Sequence, residues 1–321
     1  MRILVTGGAG FIGSHLCERL VSDGHRVTAI DNFSTGKASN LTELHGRNSF
    51  NLIEGSVLEA NILTPLIDSV DYVFHLAAAV GVFNIVNNPL ASLLTNIRGT
   101  ENVLEAAHAS KTPVFLTSSS EVYGKNISDS LKEGDDRILG SPVTLRWSYS
   151  EAKAIDESLA YAYFVEKQLE TRIVRFFNTV GPRQLGAYGM VVPRFVKAAL
   201  ANEPITIYGD GNQTRCFAHV YDVIDAVLAI AFANNTIGKV INIGNDFEIS
   251  INGLAKRIVD ETKSNSDIVY VPYTEAYGEG FEDMERRVPN IDLISYLVGW
   301  KPKRDLSSMI ADISAEMKKS S

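Results

Sequence analysis

Only two cysteines occur in 321 residues, Cys17 and Cys216, so no disulfide framework holds this chain. Cys17 falls in an apolar helical pattern and reads as a small core residue. No apolar run approaches the length of a membrane span, and the N-terminal run Ile3-Leu4-Val5 is far too short for a signal peptide. A cytoplasmic protein with no membrane partner is therefore expected. No basic run is present and the net charge is -8, which argues against a nucleic-acid partner. An anionic ligand must then be held locally, by individual arginines and helix N-termini. His75 stands alone at a strand end, with no second His, Cys or carboxylate at metal-ligand spacing, so no metal is expected. Internal repeats and low-complexity linkers are also missing. What remains is ordinary globular composition, 45% hydrophobic and 21% charged, enough for one large or two modest domains.

The chain begins with a short apolar run that stops at Gly7, as a parallel strand buried on both faces would. Gly7, Gly10 and Gly13 follow at G-x-x-G-x-x-G spacing, and then a helical pattern through Leu16, Leu20 and Val21. This strand–glycine–helix context suits a dinucleotide: a tight turn, close backbone approach to a pyrophosphate, and free N–H groups at the helix start, including those of Phe11 and Ile12. A second strand, Arg26 to Ile30, ends at Asp31 followed by Asn32. An acidic residue there accepts hydrogen bonds from an adenosine ribose and repels a 2′-phosphate, which favours NAD over NADP.

Strands are expected at Phe50–Ile53, Tyr72–Leu76, Val114–Leu116, Ile173–Phe176 and Val240–Ile243, with a long helix over Leu90–Ala107. Asn96 and Asn102 inside that helix either bond a loop or face water. Alternating strands and helices imply an α/β fold of Rossmann type, a doubly wound parallel sheet. Small residues close the fourth strand, Leu76-Ala77-Ala78, where a cofactor would lie, and hydroxyls cluster after the fifth, Thr117-Ser118-Ser119-Ser120. After Asn178 the pattern changes. Residues 1–178, with 217–243 returning to them, read as the cofactor domain; 179–216 and 244–321 read as a smaller substrate lobe. In that lobe Gly209-Asp210-Gly211-Asn212 is a hairpin signal after the strand Ile205–Tyr208. Short helices and loops are expected beyond Asp246.

Tyr149 and Lys153 stand four residues apart on a predicted helix, one turn from each other. A Lys beside a Tyr favours the phenolate and lowers its pKa from roughly 10. Such a phenolate can take a proton from an alcohol while a hydride leaves the same carbon. The pair matters only because a nicotinamide site is expected elsewhere in the chain.

Together, Thr6 to Gly13, Asp31, His75 to Ala78, Ser118 to Gly124, Tyr149 to Lys153, Phe177 to Arg183 and Gln213 to Asp222 resemble the extended short-chain dehydrogenase/reductase family that modifies nucleotide sugars. The resemblance covers essentially the whole chain. It implies NAD as cofactor, a nucleotide-diphosphate sugar as substrate and a homodimer. It also implies a triad of Ser119, Tyr149 and Lys153, with Ser119 holding the sugar 4-hydroxyl and Tyr149 as base. Arg215 would meet the diphosphate, and Asn178, Val192 and Tyr208 match positions near the diphosphate and the base. One departure is Ser56, where many relatives carry Asp for the adenine amine.

Ser120-Glu121 before Val122-Tyr123-Gly124 lacks the Asp of the family's 4,6-dehydratases and is similar to its UDP-glucuronate decarboxylases. Arg146-Trp147-Ser148, Thr214-Arg215-Cys216-Phe217, and Tyr277 to Asp283 followed by Arg286-Arg287 agree, and Arg287 takes the position of an essential Arg. The resemblance thus implies oxidation at C4 of UDP-glucuronate and loss of the carboxylate, with Glu121 and Arg287 in undivided roles. Ala77-Ala78 is instead usual in epimerases, so a UDP-sugar 4-epimerase is the alternative. An NAD-binding sensor without catalysis is a third reading.

Overall fold

The computed structural model describes residues 1–81, 87–184, 186, 190–277 and 284–319. Its centre is a seven-stranded sheet: β1 (Arg2–Thr6), β2 (Arg26–Asp31), β3 (Phe50–Glu54), β4 (Tyr72–His75), β5 (Val114–Ser119), β6 (Thr171–Phe176) and, later in the chain, Val240–Ile243, numbered β11. The order is β11-β6-β5-β4-β1-β2-β3, and every pairing is parallel. The chain winds outward from β1 to β3, then returns to β4 on the other side of β1. That reversal puts a crevice at the carboxyl ends of β1 and β4, where open α/β sheets bind ligands.

Helices cover both faces. On one, α1 (Phe11–Ser22) and a helix over Val220–Ala231 share a core with Ile3, Val5, Phe74 and Val174. On the other, α2 (Ala60–Asp68), α3 (Pro89–Ser110) and α4 (Ser148–Lys167) surround Leu4, Ile30, Val73 and Leu116. Leu16 and Leu20 on α1 are fully buried, a gain of about 1.5–3 kcal/mol each. Cys17 lies between them in the same core, as expected. Asn96 and Asn102 on α3 both bond loops: Asn96 Oδ1 accepts from Ala79 N at 2.8 Å, and Asn102 Nδ2 donates to Val57 O at 2.9 Å.

A second core gathers α5 (Val191–Leu200), β8 (Ile205–Tyr208) and the helices Ile251–Thr262 and Leu306–Lys319. Two expectations change here. The turn at Gly209–Asn212 exists, with Gly209 and Gly211 at φ 76° and 73°, but it closes no hairpin. β8 pairs in parallel with Ile268–Val271, and the next strand, Thr214–Cys216, pairs antiparallel with Glu248–Ser250. Turn chemistry bends the chain; each strand then takes the partner that buries its apolar face. Beyond Asp246 the chain is also more regular than expected, with helices of 12 and 14 residues. In addition, Ile294 and Trp300 pack on the sheet side, with the α1 core, rather than with the lobe.

Candidate active site

One cavity of about 490 Å³ runs from the glycine turn to the lobe. Every residue singled out from sequence as a site candidate lines it.

At one end is the turn after β1. Gly7 has φ 69°, and a Cβ there would come 2.8 Å from Ala77 N. A Cβ on Gly13 would lie 2.2 Å from Gly7 O. These glycines let β1, the start of α1 and the Leu76-Ala77-Ala78 segment approach closely. The first turn of α1 carries no acidic residue, and Gly10 caps it without a side chain. Phe11, Ile12 and Gly13 thus open the helix toward the cavity, which suits a pyrophosphate. Asp31 accepts from Ala9 N at 2.9 Å and Phe33 N at 2.8 Å, and Asn32 lines the cavity beside it. Burial pushes the Asp31 carboxyl up while those backbone N–H groups pull it down. Each carboxylate oxygen keeps further acceptor capacity for ribose hydroxyls. An NAD molecule fits this arrangement: backbone cradle, dipole end and ribose acceptor line one cavity. His75 is structural, its ring nitrogens 2.8 Å from Thr6 Oγ1 and 3.1 Å from Thr100 Oγ1, and among the described residues no cluster could hold a metal.

In the middle of the cavity β5 ends in Ser118 and Ser119. Lys153 is buried, with Nζ 3.2 Å from Thr117 O and 3.1 Å from Asp156 Oδ2. Tyr149 stands one turn earlier and lines the same cavity as Ser119. The expectation that Lys153 makes Tyr149 acidic is not met in this geometry. Burial, then the Glu121 and Asp156 charges, push the phenol above its ordinary value, and the nearby Ser119 hydroxyl offsets them only in part. The largest cause is burial, and the Asp156 carboxylate beside Lys153 adds to it.

Next to Tyr149 sits an ionic cluster that sequence brought only half into view. Glu121 Oε1 lies 2.8 Å from Arg287 Nη1, and Glu121 Oε2 accepts from Arg146 Nη1 at 2.6 Å. Arg287 Nη1 also donates to Ser120 Oγ at 3.2 Å. Burial pushes the Glu121 carboxyl up, but Arg287 and Arg146 together hold it well below the usual carboxylate range. Glu121 is thus a fixed anion rather than a ready proton donor. Sequence alone gives Arg146 a place in the Arg146-Trp147-Ser148 motif but no role. Its signal was its place three residues before Tyr149. Arg286 is the surface member of the basic pair, bonded to Glu248 at 2.7 and 2.8 Å, whereas Arg287 is 5% exposed. The quoted stretch 278–283 lies outside the described residues.

The lobe end is formed by Asn178, Val192, Tyr208 and Arg215. Asn178 Nδ2 donates to Cys216 O at 2.9 Å, tying β6 to the lobe strand that carries Arg215. The Arg194 guanidinium lies 4.1 Å over the Tyr208 ring, and Arg194 also lines the cavity. No motif in the sequence points to Arg194.

A family model described as the NAD dependent epimerase/dehydratase family matches residues 3–244. The chain belongs to that family. As such it is an NAD-dependent enzyme. It is 42% identical over 302 residues to a UDP-N-acetyl-alpha-D-glucosaminuronate decarboxylase of Bacillus cytotoxicus, covering 94% of this chain and 92% of the relative. It is 38% identical to UDP-glucuronic acid decarboxylase 1 of Xenopus tropicalis, covering 94% and 68%. Its fold matches a crystal structure of UDP-glucuronic acid 4-epimerase from Bacillus cereus, in complex with UDP-glucuronic acid and NAD, at TM-score 0.90 and 30% identity over the whole of both chains.

Proposed function

We propose that this enzyme decarboxylates a UDP-linked hexuronate, UDP-glucuronate first, through a 4-keto intermediate. The observation that carries the reading is the charge around Glu121. Two buried arginines, Arg146 and Arg287, face the two oxygens of one carboxylate beside Tyr149 and Ser119, and Arg287 also lines the cavity. A planar guanidinium at the cavity wall is suited to receive a substrate carboxylate. The decarboxylase names of relatives at 42% and 38% identity support the same reading.

In this reading NAD, held by the glycine turn and Asp31, would supply the hydride acceptor for sugar C4. Tyr149 takes the 4-hydroxyl proton, Ser119 orients that oxygen, and Lys153 holds the nicotinamide ribose. The resulting β-keto acid loses its carboxylate as CO2, and the bonding electrons pass into the C4 carbonyl. Tyr149 and Ser119 stabilise the enolate oxygen that forms. C5 then takes a proton, and the ketone is either reduced by the NADH formed, which would regenerate NAD, or released with NADH left over. Arg287 orients the carboxylate, and Arg215 binds the diphosphate as a planar fork. Exposed Tyr161 and Val165, four apart on α4, support a homodimer through that helix face. Among the described residues no helix is long and apolar enough to cross a membrane, and we place the enzyme in the cytoplasm.

A second reading, 4-epimerisation of the same uronate, is supported by Ala77-Ala78 and by the epimerase likeness. Incubation with UDP-glucuronate and, separately, with UDP-N-acetylglucosaminuronate, following product mass and CO2, decides between them. Loss of CO2 from either is expected. An isomer of unchanged mass means epimerisation and removes the first reading.

A further inference from the structure

Arg146 lies in the turn Leu145–Trp147 that leads into α4 and is 6% exposed. Its Nη1 reaches Glu121 Oε2 at 2.6 Å, and its guanidinium carbon is 5.4 Å from the centre of the Trp147 ring. Trp147 is fully buried and gives the guanidinium a fixed support. Arg287 occupies the other oxygen of Glu121 at 2.8 Å. The two arginines divide one carboxylate between them, oxygen by oxygen.

We propose that Arg146 is a positioning residue that keeps Glu121 paired, so that Arg287 is released to meet the substrate carboxylate. This rests on the hexuronate reading above. An entering uronate places a second anion beside Arg287. If Arg287 were the only partner of Glu121, turning to the substrate would strand a buried carboxylate or force it to take up a proton. Arg146 removes that conflict, because Glu121 keeps a charge-assisted bond whichever way Arg287 faces. Among the described residues the charged and titratable groups facing Glu121 are Arg146, Arg287 and Tyr149, and its backbone N–H donates to Ser119 Oγ at 3.2 Å. With both arginines in place the Glu121 carboxyl stays ionised far into acid. Uronate binding is then independent of Glu121 protonation.

The test is binding, measured by calorimetry on NAD-loaded protein carrying Tyr149→Phe to block turnover. UDP-glucuronate is compared with UDP-xylose, its carboxylate-free counterpart, across about pH 5 to 8. With Arg146 intact, the preference for UDP-glucuronate is expected to be flat with pH. In Arg146→Gln it falls roughly tenfold or more at the alkaline end and recovers on acidification, as Glu121 takes up a proton. Arg146→Lys retains most of the preference at every pH, which also guards against a folding defect. An Arg146→Gln protein that keeps the preference, or loses affinity for both ligands equally with no pH dependence, overturns the assignment alone. A parent protein with no preference for UDP-glucuronate at any pH overturns the hexuronate reading and the assignment with it.

Discussion

Ser118 Oγ donates to Glu157 Oε1 at 2.5 Å, and both oxygens of that carboxylate also accept from Arg175, at 2.9 and 2.7 Å. The three residues come from the end of β5, the middle of α4 and β6. They tie the strand end that carries Ser119 to the helix that carries Tyr149 and Lys153. The Arg175 guanidinium further lies 4.7 Å from the Tyr123 ring centre and donates to Glu133 O at 2.9 Å.

Glu157→Ala is expected to cost about 3–5 kcal/mol of stability, because it leaves a buried guanidinium without its carboxylate. Urea unfolding with NAD present measures the loss. A change below about 1 kcal/mol would mean that Glu133 and Tyr123 satisfy Arg175 without Glu157.

Tyr149→Phe is expected to abolish NADH formation during turnover, by about 10²–10⁴-fold, while NAD stays bound. Absorbance of the mixed enzyme and substrate reads the first effect, and extraction of bound nucleotide the second. Persistent turnover would remove Tyr149 as the base.

Gly13→Ala drives a methyl group to 2.2 Å from Gly7 O, with backbone on both sides of the contact. The turn must open to admit it. NAD content after purification is expected to fall sharply. A variant that keeps full NAD occupancy would show that the glycine turn is not the cofactor cradle.

Burial, with the Lys153 charge, lowers the His75 pKa from 6.5 to about 3, and burial brings that of His15 to about 4. Below the ordinary value the unfolded chain binds protons that the folded protein refuses. Stability is therefore complete above about 6.5 and falls as pH drops, by about 1.4 kcal/mol per pH unit for each imidazole. Urea midpoints at about pH 7 and pH 5 should show a shallower acid loss in His75→Gln than in the unchanged protein. Equal slopes would place the acid sensitivity elsewhere.

The sheet strands, the glycine turn, Asp31 and the Tyr149–Lys153 pair were all legible in the chain, because each is a local pattern: apolar runs, glycine spacing, one helical turn. The false hairpin at Gly209–Asn212 arose from the same locality. A turn motif specifies a bend, but the partners of the strands on either side depend on which surfaces they bury. The basic pair shows the same limit: sequence could not tell the surface Arg286 from the buried Arg287.

By itself the sequence determined the α/β class, the glycine turn after β1 and the placing of Tyr149 and Lys153 one turn apart on one helix. Only tertiary structure decided what surrounds them. It brought Arg287 from the C-terminal segment to one oxygen of Glu121 and Arg146 to the other. It also buried Tyr149 beside the Glu121 and Asp156 carboxylates, which pushes its phenol above the value its sequence neighbour alone implies. The physical reason is distance. Charge–charge energies in a poorly solvated cleft depend on ångströms between side chains that are far apart in the chain, and those separations are set only when the sheet, the helices and the lobe close around one cavity.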